Sequence, residues 1–432
     1  MKIKRIVLAS LCAVLLVSPA FAAGASLDIG EAVRLTLANN SSLRSLRQEV
    51  VKAQAFRLQA DGALLPNVYA SGYADKQRED QTSDGSRDDS RVVRATLEQT
   101  IYSGGKNSAM RRQSPFKRTV AEMMIADGEN SAVGELYARF YNVLLQRGNI
   151  EAEEAAVKTS ELHLREARKM SELGLANRLD VIRAGQQLAS DTAALASARG
   201  LFETARISLM NYMSIAPQDG RSAAGELAVP EVTGSRAESL AAAAKFRADR
   251  RRLEAQLGYQ KEQIEIEKSG LRPKVSFEAY AGYLDPYQKN DEGGDTWRTQ
   301  LSVSVPIFDR NASRSAVMSA RAQLEQDKIA LGQKELDLKS EVETAWIEIE
   351  TTMRTMAASE KSLELAAESL RLAEVGYREG VTPQLDLLSA QASLTSARLD
   401  YLRAKYNHLI AVVALKMTEG TIVEWSGGGS LK

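Results

Sequence analysis

Two stretches of the chain repeat one another about 206 residues apart. Leu65-Pro66-Asn67-Val68 returns as Arg272-Pro273-Lys274-Val275. Leu97-Glu98-Gln99-Thr100-Ile101-Tyr102 returns as Val303-Ser304-Val305-Pro306-Ile307-Phe308. Gly174-Leu175-Ala176-Asn177-Arg178-Leu179-Asp180 returns as Gly380-Val381-Thr382-Pro383-Gln384-Leu385-Asp386. Order and spacing agree, so the chain is a tandem duplication, and its fold must be two copies of one unit. Each copy holds two short strand-like runs between very long helical stretches.

The helical stretches carry a seven-residue rhythm. From Arg314 to Arg378 there is no proline, and the only glycines are Gly332 and Gly376. Apolar or small residues fall at steps of three and four: Val342, Ala345, Ile349, Thr352, Met356, Ser359, Leu363, Ala366, Leu370, Ala373, Tyr377. Val317, Leu324, Leu331 and Leu338 extend one line of that seam backwards. This is a coiled-coil pattern. At 1.5 Å per residue it predicts a rod of roughly 100 Å. Thr382-Pro383 then predicts a new helix, threonine as cap and proline in the first turn. Its expected seam is Leu385, Leu388, Ala392, Thr395, Leu399, Leu402, Tyr406, Leu409, Val413. In the first copy, helices are expected from about Lys106 to Leu173 and from about Arg178 to Met213. Val181, Leu188, Leu195, Phe202 and Leu209 recur in the second of these. Gly174 and Gly380 stand where helix ends want glycine, so each copy closes in a tight helical hairpin.

The strands alternate strictly. Trp297, Leu301, Val303 and Val305 share one face; Arg298, Gln300, Ser302 and Ser304 share the other. Val275, Phe277, Ala279, Ala281 and Tyr283 alternate with Ser276, Glu278, Tyr280 and Gly282. Val93, Ala95, Leu97 and Ile101 alternate with Arg94, Thr96, Glu98 and Thr100. In the weaker run after Pro66, Val68, Ala70 and Gly72 oppose Tyr69 and Tyr73. Each run is about ten residues, the length a tilted membrane strand needs. The links Lys76–Ser90 and Asp285–Asp295 are polar and expected to be solvated loops, facing the cell exterior. Four strands leave open edges, which a bilayer does not tolerate. Membrane barrels need at least eight strands, so two or more chains must share one.

Met1 to Ala22 reads as a secretory signal: Lys2, Lys4 and Arg5, an apolar run from Ile6 to Val17, and small residues at Ala20 and Ala22. The only cysteine, Cys12, falls inside it. Losing the three basic residues takes 56 down to 53 against 56 acidic ones, a net of about −3. That balance does not favour nucleic acid. No apolar run of 18 residues follows, so no transmembrane helix is expected.

Enzyme readings find little support. His163 and His408 lie in helical, polar surroundings without ligand spacing. Gly104-Gly105-Lys106 lacks the upstream glycine of a P-loop, and asparagine follows the lysine. Glu151, Glu153 and Glu154 read as a solvated helix face. No metal or cofactor is expected.

The whole mature chain resembles the TolC family of outer-membrane efflux and secretion channels. The resemblance rests on the Leu65–Val68 and Arg272–Val275 strand starts, on Gln99–Gly105 and Val305–Asp309, and on Tyr377–Gly380 with Leu385–Leu388. It implies a mainly helical fold with a small β part. Duplicated long coiled-coil helices would form a periplasmic α-barrel, and four strands per chain would join a shared transmembrane β-barrel. It further implies a homotrimer in outer-membrane lipid, a periplasmic adaptor and an inner-membrane transporter as partners, and no chemistry by the channel itself. The function implied is the exit duct of a tripartite efflux pump or type I secretion system. A periplasmic coiled-coil adaptor or a structural envelope protein is the alternative. The adaptor would need a soluble β-domain and usually one hairpin; the structural protein leaves the strands unexplained.

The expected organisation is a signal peptide at 1–22 and a first repeat at 23–230, with strands near 66–75 and 91–102 and a hairpin turn near 174–178. A second repeat follows at 231–420, with strands near 273–284 and 296–308 and a turn near 380–383, then a tail at 421–432. By resemblance, the hairpin tips at Gly174, Leu175, Ala176, Gly380 and Val381 would dock the adaptor. Asp386 would ring the periplasmic constriction, with uncharged Ser389 at the family's second acid. Tyr377 would lock the hairpins with Asp180 as its partner, while Thr382 replaces a family arginine. The plainer readings are that Asp386 and Asp180 suit helix N-termini and that Tyr377 packs in a seam.

Overall fold

Each half of the chain folds into the same run of elements: two helices, two strands, and two long helices. The computed structural model describes residues 26–78, 87–174, 176–216, 221–230, 232–286 and 293–427. The expected signal peptide at 1–22 and Leu175 lie outside the described residues. The first copy comprises β1 (Ser26–Leu27), α1 (Ile29–Asn39), α2 (Ser41–Gly62), β2 (Asn67–Arg78), β3 (Arg87–Ser103), α3 (Lys106–Glu172) and α4 (Arg178–Tyr212). The second comprises β4 (Ser222–Ala223), α5 (Arg236–Phe246), α6 (Ala248–Lys268), β5 (Lys274–Pro286), β6 (Gly294–Ser304), α7 (Ala312–Arg378), α8 (Gln384–Glu419) and α9 (Ile422–Gly427). β1 and β4 form one short parallel pair. No described helix is long and apolar enough to cross a membrane.

The two copies break their shorter helix pair at the same place by different means. Between α1 and α2, the Asn40 side chain accepts from the N–H groups of Ser42 and Leu43 at 3.0 and 3.3 Å. Between α5 and α6, Arg247 takes that position in extended conformation. Its guanidinium meets Asp249 at 2.6 Å and Glu341 of α7 at 2.6 Å. Lys334 completes the cycle, 2.9 Å from Asp249 and 2.8 Å from Glu341. Burial pushes the Asp249 carboxyl upward, but hydrogen bonds from Arg247 and Lys334 outweigh it and hold the group well below the usual carboxylate range.

The main core lies where α1, α3, α4, α8 and α9 meet. Tyr137, Phe140, Leu209, Met210, Leu409 and Ile422 are among its fully enclosed side chains. Each such leucine or phenylalanine contributes roughly 1.5–3 kcal/mol on leaving water. Beyond this core the long helices pack as hairpins, α3 on α4 and α7 on α8.

The α7 seam follows the sequence pattern. Val342, Ala345, Ile349, Thr352 and Leu370 are buried, and Met356, Ser359, Leu363, Ala366, Ala373 and Tyr377 are partly so. The α8 expectation needs correction. Leu385 and Ala392 are exposed, while Leu387, Ala390, Ala397, Ala404, His408, Ala411 and Leu415 are buried. α8 packs on two partners at once. One line faces α7, where Ala411 and Leu415 meet Ala345 and Ile349 and His408 meets Thr352. The other faces the first copy: Tyr406 donates to the Ala138 carbonyl at 3.3 Å, and Leu409 and Val413 enter the main core. Thr382 is not the cap either; Pro383 stands at that position and α8 begins at Gln384.

The four long strands form one antiparallel sheet in the order β2-β3-β5-β6. β2 and β6 are its open edges. Val68 pairs with Leu97, Leu97 with Ala279, and Ala279 with Thr299. That register puts the apolar sets on one face and Tyr69, Thr96, Tyr280 and Arg298 on the other. A bulge falls between Thr100 and Tyr102, which takes Ile101 out of the alternation. β2 reaches Arg78 and β3 starts at Arg87, so the ends of the polar link Lys76–Ser90 are strand; β5 and β6 shorten the second link likewise. Conversely β6 ends at Ser304, and Val305–Phe308 leave the sheet, because Pro306 cannot donate to a ladder.

Candidate functional site at the hairpin tips

Both hairpins turn by the same backbone device. α7 ends with Gly380 in the left-handed region at φ 75°. The Gly380 N–H donates to the Tyr377 carbonyl at 3.1 Å, and the Val381 N–H to Gly376 at 2.8 Å. These two bonds satisfy carbonyls that the helix end would leave bare. Gly174 repeats the conformation at φ 73°, and its N–H donates to Ser171 at 3.1 Å. Ala176 and Thr382 hold equivalent places, donating to Met170 at 3.2 Å and to Gly376 at 3.0 Å. A Cβ on Gly376 would stand 2.1 Å from Thr382 Oγ1, so the missing side chain there makes room for that of Thr382. Leu173 and Val381 are exposed at the two tips, 73% and 79%.

Asp180 and Asp386 start α4 and α8 at equivalent positions, yet their carboxylates are placed differently. Asp180 closes a capping box: its N–H donates to Asn177 Oδ1 at 3.1 Å, and its carboxylate accepts from the Asn177 N–H at 3.2 Å. In the second copy Pro383 replaces that asparagine. Proline has no N–H to offer, and the Asp386 side chain makes no hydrogen bond or ion pair among the described residues. Asp386 and Ser389 are both exposed, one turn apart, opposite the buried Leu387, Ala390 and Gln391.

Tyr377 is half-buried between the hairpins. Burial raises the pKa of its hydroxyl, and the charges of Asp180 and Glu166 raise it further, so it stays protonated. It packs with Leu387, Ala390, Leu394 and Leu370. Among the described residues no hydrogen bond joins it to Asp180. A different side chain ties the hairpins together: Gln384, 6% exposed, donates to the Asp180 carbonyl at 2.8 Å.

A buried polar layer lies further along the hairpins. Ser160 of α3 donates to Asp191 of α4. Gln391 of α8 donates to Ser160 Oγ at 2.5 Å and to the Ala156 carbonyl at 3.3 Å. Gln187 adds a 2.8 Å bond to Asp191. Glu153, read from sequence as solvated, is buried, and burial with the nearby Asp191 charge raises its pKa. Both histidines are buried too, 4% exposed each, in helix seams, with His408 Nδ1 2.9 Å from Thr352 Oγ1. Sequence reasoning passed over Gln384, Ser160, Asp191 and Gln391. One signal was present: Asp191 occupies a seam position between Leu188 and Leu195. No cluster able to hold a metal occurs among the described residues.

The model of the outer membrane efflux protein family matches residues 32–214 and 232–421. The chain belongs to that family. Its fold is that of solved outer-membrane channels. The Campylobacter jejuni CmeC outer membrane channel is 16% identical, with 91% of this chain and 85% of that one covered at a TM-score of 0.80. The outer-membrane channel OprN is 20% identical, covering 91% and 90% at 0.77. The open state of the Neisseria gonorrhoeae MtrE channel is 20% identical, covering 91% and 89% at 0.75. No curated protein matches the chain by sequence. As an outer membrane efflux protein, the chain is an outer-membrane channel with a long periplasmic helical part. The family is one of transport channels, not enzymes; its members generally trimerise and work with pump partners.

Proposed function

We propose that three copies form one continuous duct, the exit channel of a tripartite pump or type I secretion system. The carrying observation is the sheet: four long strands with an apolar outer face and two unpaired edges, β2 and β6. Trp297 and Val303 stand 75% and 63% exposed in a single protomer, a pattern suited to lipid. Pairing β6 of one copy with β2 of the next satisfies both edges, and three copies reach twelve strands, above the minimum for a membrane barrel. The α3–α4 and α7–α8 hairpins then point into the periplasm, away from the strand-linking ends.

At the tips, Gly174, Leu175, Ala176, Gly380 and Val381 are the adaptor-docking turns in this reading. The inner-membrane transporter delivers cargo through that adaptor. Asp386, released from capping, faces the axis, and three carboxylates form the constriction. Ser389 adds no charge one turn further on. Tyr377 with Asp180 holds the α7–α8 hairpin against α3–α4, and Thr382, standing where the family has an arginine, leaves that lock without its cation. Chemical crosslinking of outer membranes extracted in mild detergent tests the assembly. A stable trimer is expected; monomer alone, or a soluble periplasmic species, would overturn the reading.

A further inference from the structure

The polar face of the sheet carries its charges in separate rows. Glu98 of β3 is paired in register with Glu278 of β5. One row nearer the strand-linking ends, Tyr280 stands opposite Arg298 of β6. One row further, Arg94 of β3 stands opposite Gly282. Rows are roughly 7 Å apart along a strand.

Both guanidiniums rest on one ring. Arg94 Cζ lies 5.1 Å and Arg298 Cζ 5.9 Å from the Tyr280 centroid. Gly282 leaves the space Arg94 needs, since a Cβ there would be 2.6 Å from the Arg94 Cβ. Neither arginine is ion-paired among the described residues. Arg94 Nε is enclosed without a hydrogen-bond partner. Cation–π contact keeps both guanidiniums by the ring without using their N–H donors, and those donors fit oxyanions two at a time.

We propose that Arg94, Tyr280 and Arg298 form an anion-binding belt in the lumen of the β-barrel, taking multivalent oxyanions such as phosphates and polycarboxylates. The proposal rests on the trimeric channel reading above. Two arginines in each of three copies set six guanidiniums at this level. Glu98 and Glu278 set six carboxylates on its periplasmic side. The lumen therefore changes sign along its axis. Rings of arginine select anions in pores, as rings of carboxylate select cations.

Single-channel recording of the full-length protein in planar bilayers tests this, with inorganic triphosphate as the probe. Triphosphate added on the strand-linking side should lower wild-type conductance. The Arg94→Gln/Arg298→Gln variant should need at least about tenfold more for equal block. Tyr280→Phe keeps the ring and should keep the block. If the double variant does not assemble as a trimer, the two single variants decide, each expected to weaken block. Equal block in wild type and variants, or none in a conducting wild-type channel, overturns the belt alone. If the wild-type chain forms no conducting trimer, the channel reading falls and the belt with it.

Discussion

The Gln384 side-chain amide donates to the Asp180 main-chain carbonyl at 2.8 Å, fastening the first turn of α8 to the first turn of α4. The bond joins the two halves of the duplication at the hairpin tips. It binds to backbone, so substitution of the Asp180 side chain leaves it in place. Gln384→Leu should remove the tie. The expected loss is about 1 kcal/mol of stability, with longer or more frequent open states in single-channel records. Unchanged gating in a stable trimer would show that other contacts hold the tips.

Asp386 is the second test. A ring of three unpaired carboxylates attracts cations and repels anions over a few ångströms. Asp386→Asn should reduce cation preference in planar bilayers and weaken block by polyvalent cations. Ser389→Asp should strengthen both. If both variants leave selectivity unchanged, Asp386 lies off the axis.

The turn of the second hairpin depends on Gly376. Its Cβ site lies 2.1 Å from Thr382 Oγ1 and 3.1 Å from Thr382 Cβ. Gly376→Ala should cost about 1–3 kcal/mol, in the range of overpacked sites. Adding Thr382→Ala should recover part of that loss, because it removes the nearer atom. Thermal unfolding of the four proteins in a double-mutant cycle measures the coupling; additive effects would refute the contact.

The ion cycle around Asp249 makes stability acid-sensitive. Its folded-state pKa lies below the ordinary value of 3.8. A depressed carboxylate contributes stability that is present above the unfolded pKa and lost as pH falls towards the folded one. Melting temperature should therefore hold steady down to the ordinary carboxylate range and fall below it. Asp249→Asn should cost about 3 kcal/mol at neutral pH, since Arg247 and Lys334 would keep partly buried charges with one partner fewer. The same acid sensitivity in wild type and Asp249→Asn would move the effect to other groups.

The sequence by itself determined what local period can carry. Strand faces followed from alternation, the α7 seam from steps of three and four, and both hairpin turns from Gly174 and Gly380. Each is a property of one segment against one partner. What only the tertiary structure decided involves a third body. α8 buries two lines of residues because α7 covers one side and α3 the other, so Leu387, Ala390 and Leu415 replaced the expected Leu385 and Ala392. Glu153 is buried despite the like charge of Asp191 on the neighbouring helix, and Ser160, Asp191 and Gln391 meet only where three helices converge. Asp180 and Asp386 look equivalent as letters in a repeat. Their carboxylates differ because a capping box needs a backbone N–H at its first residue, and Pro383 has none.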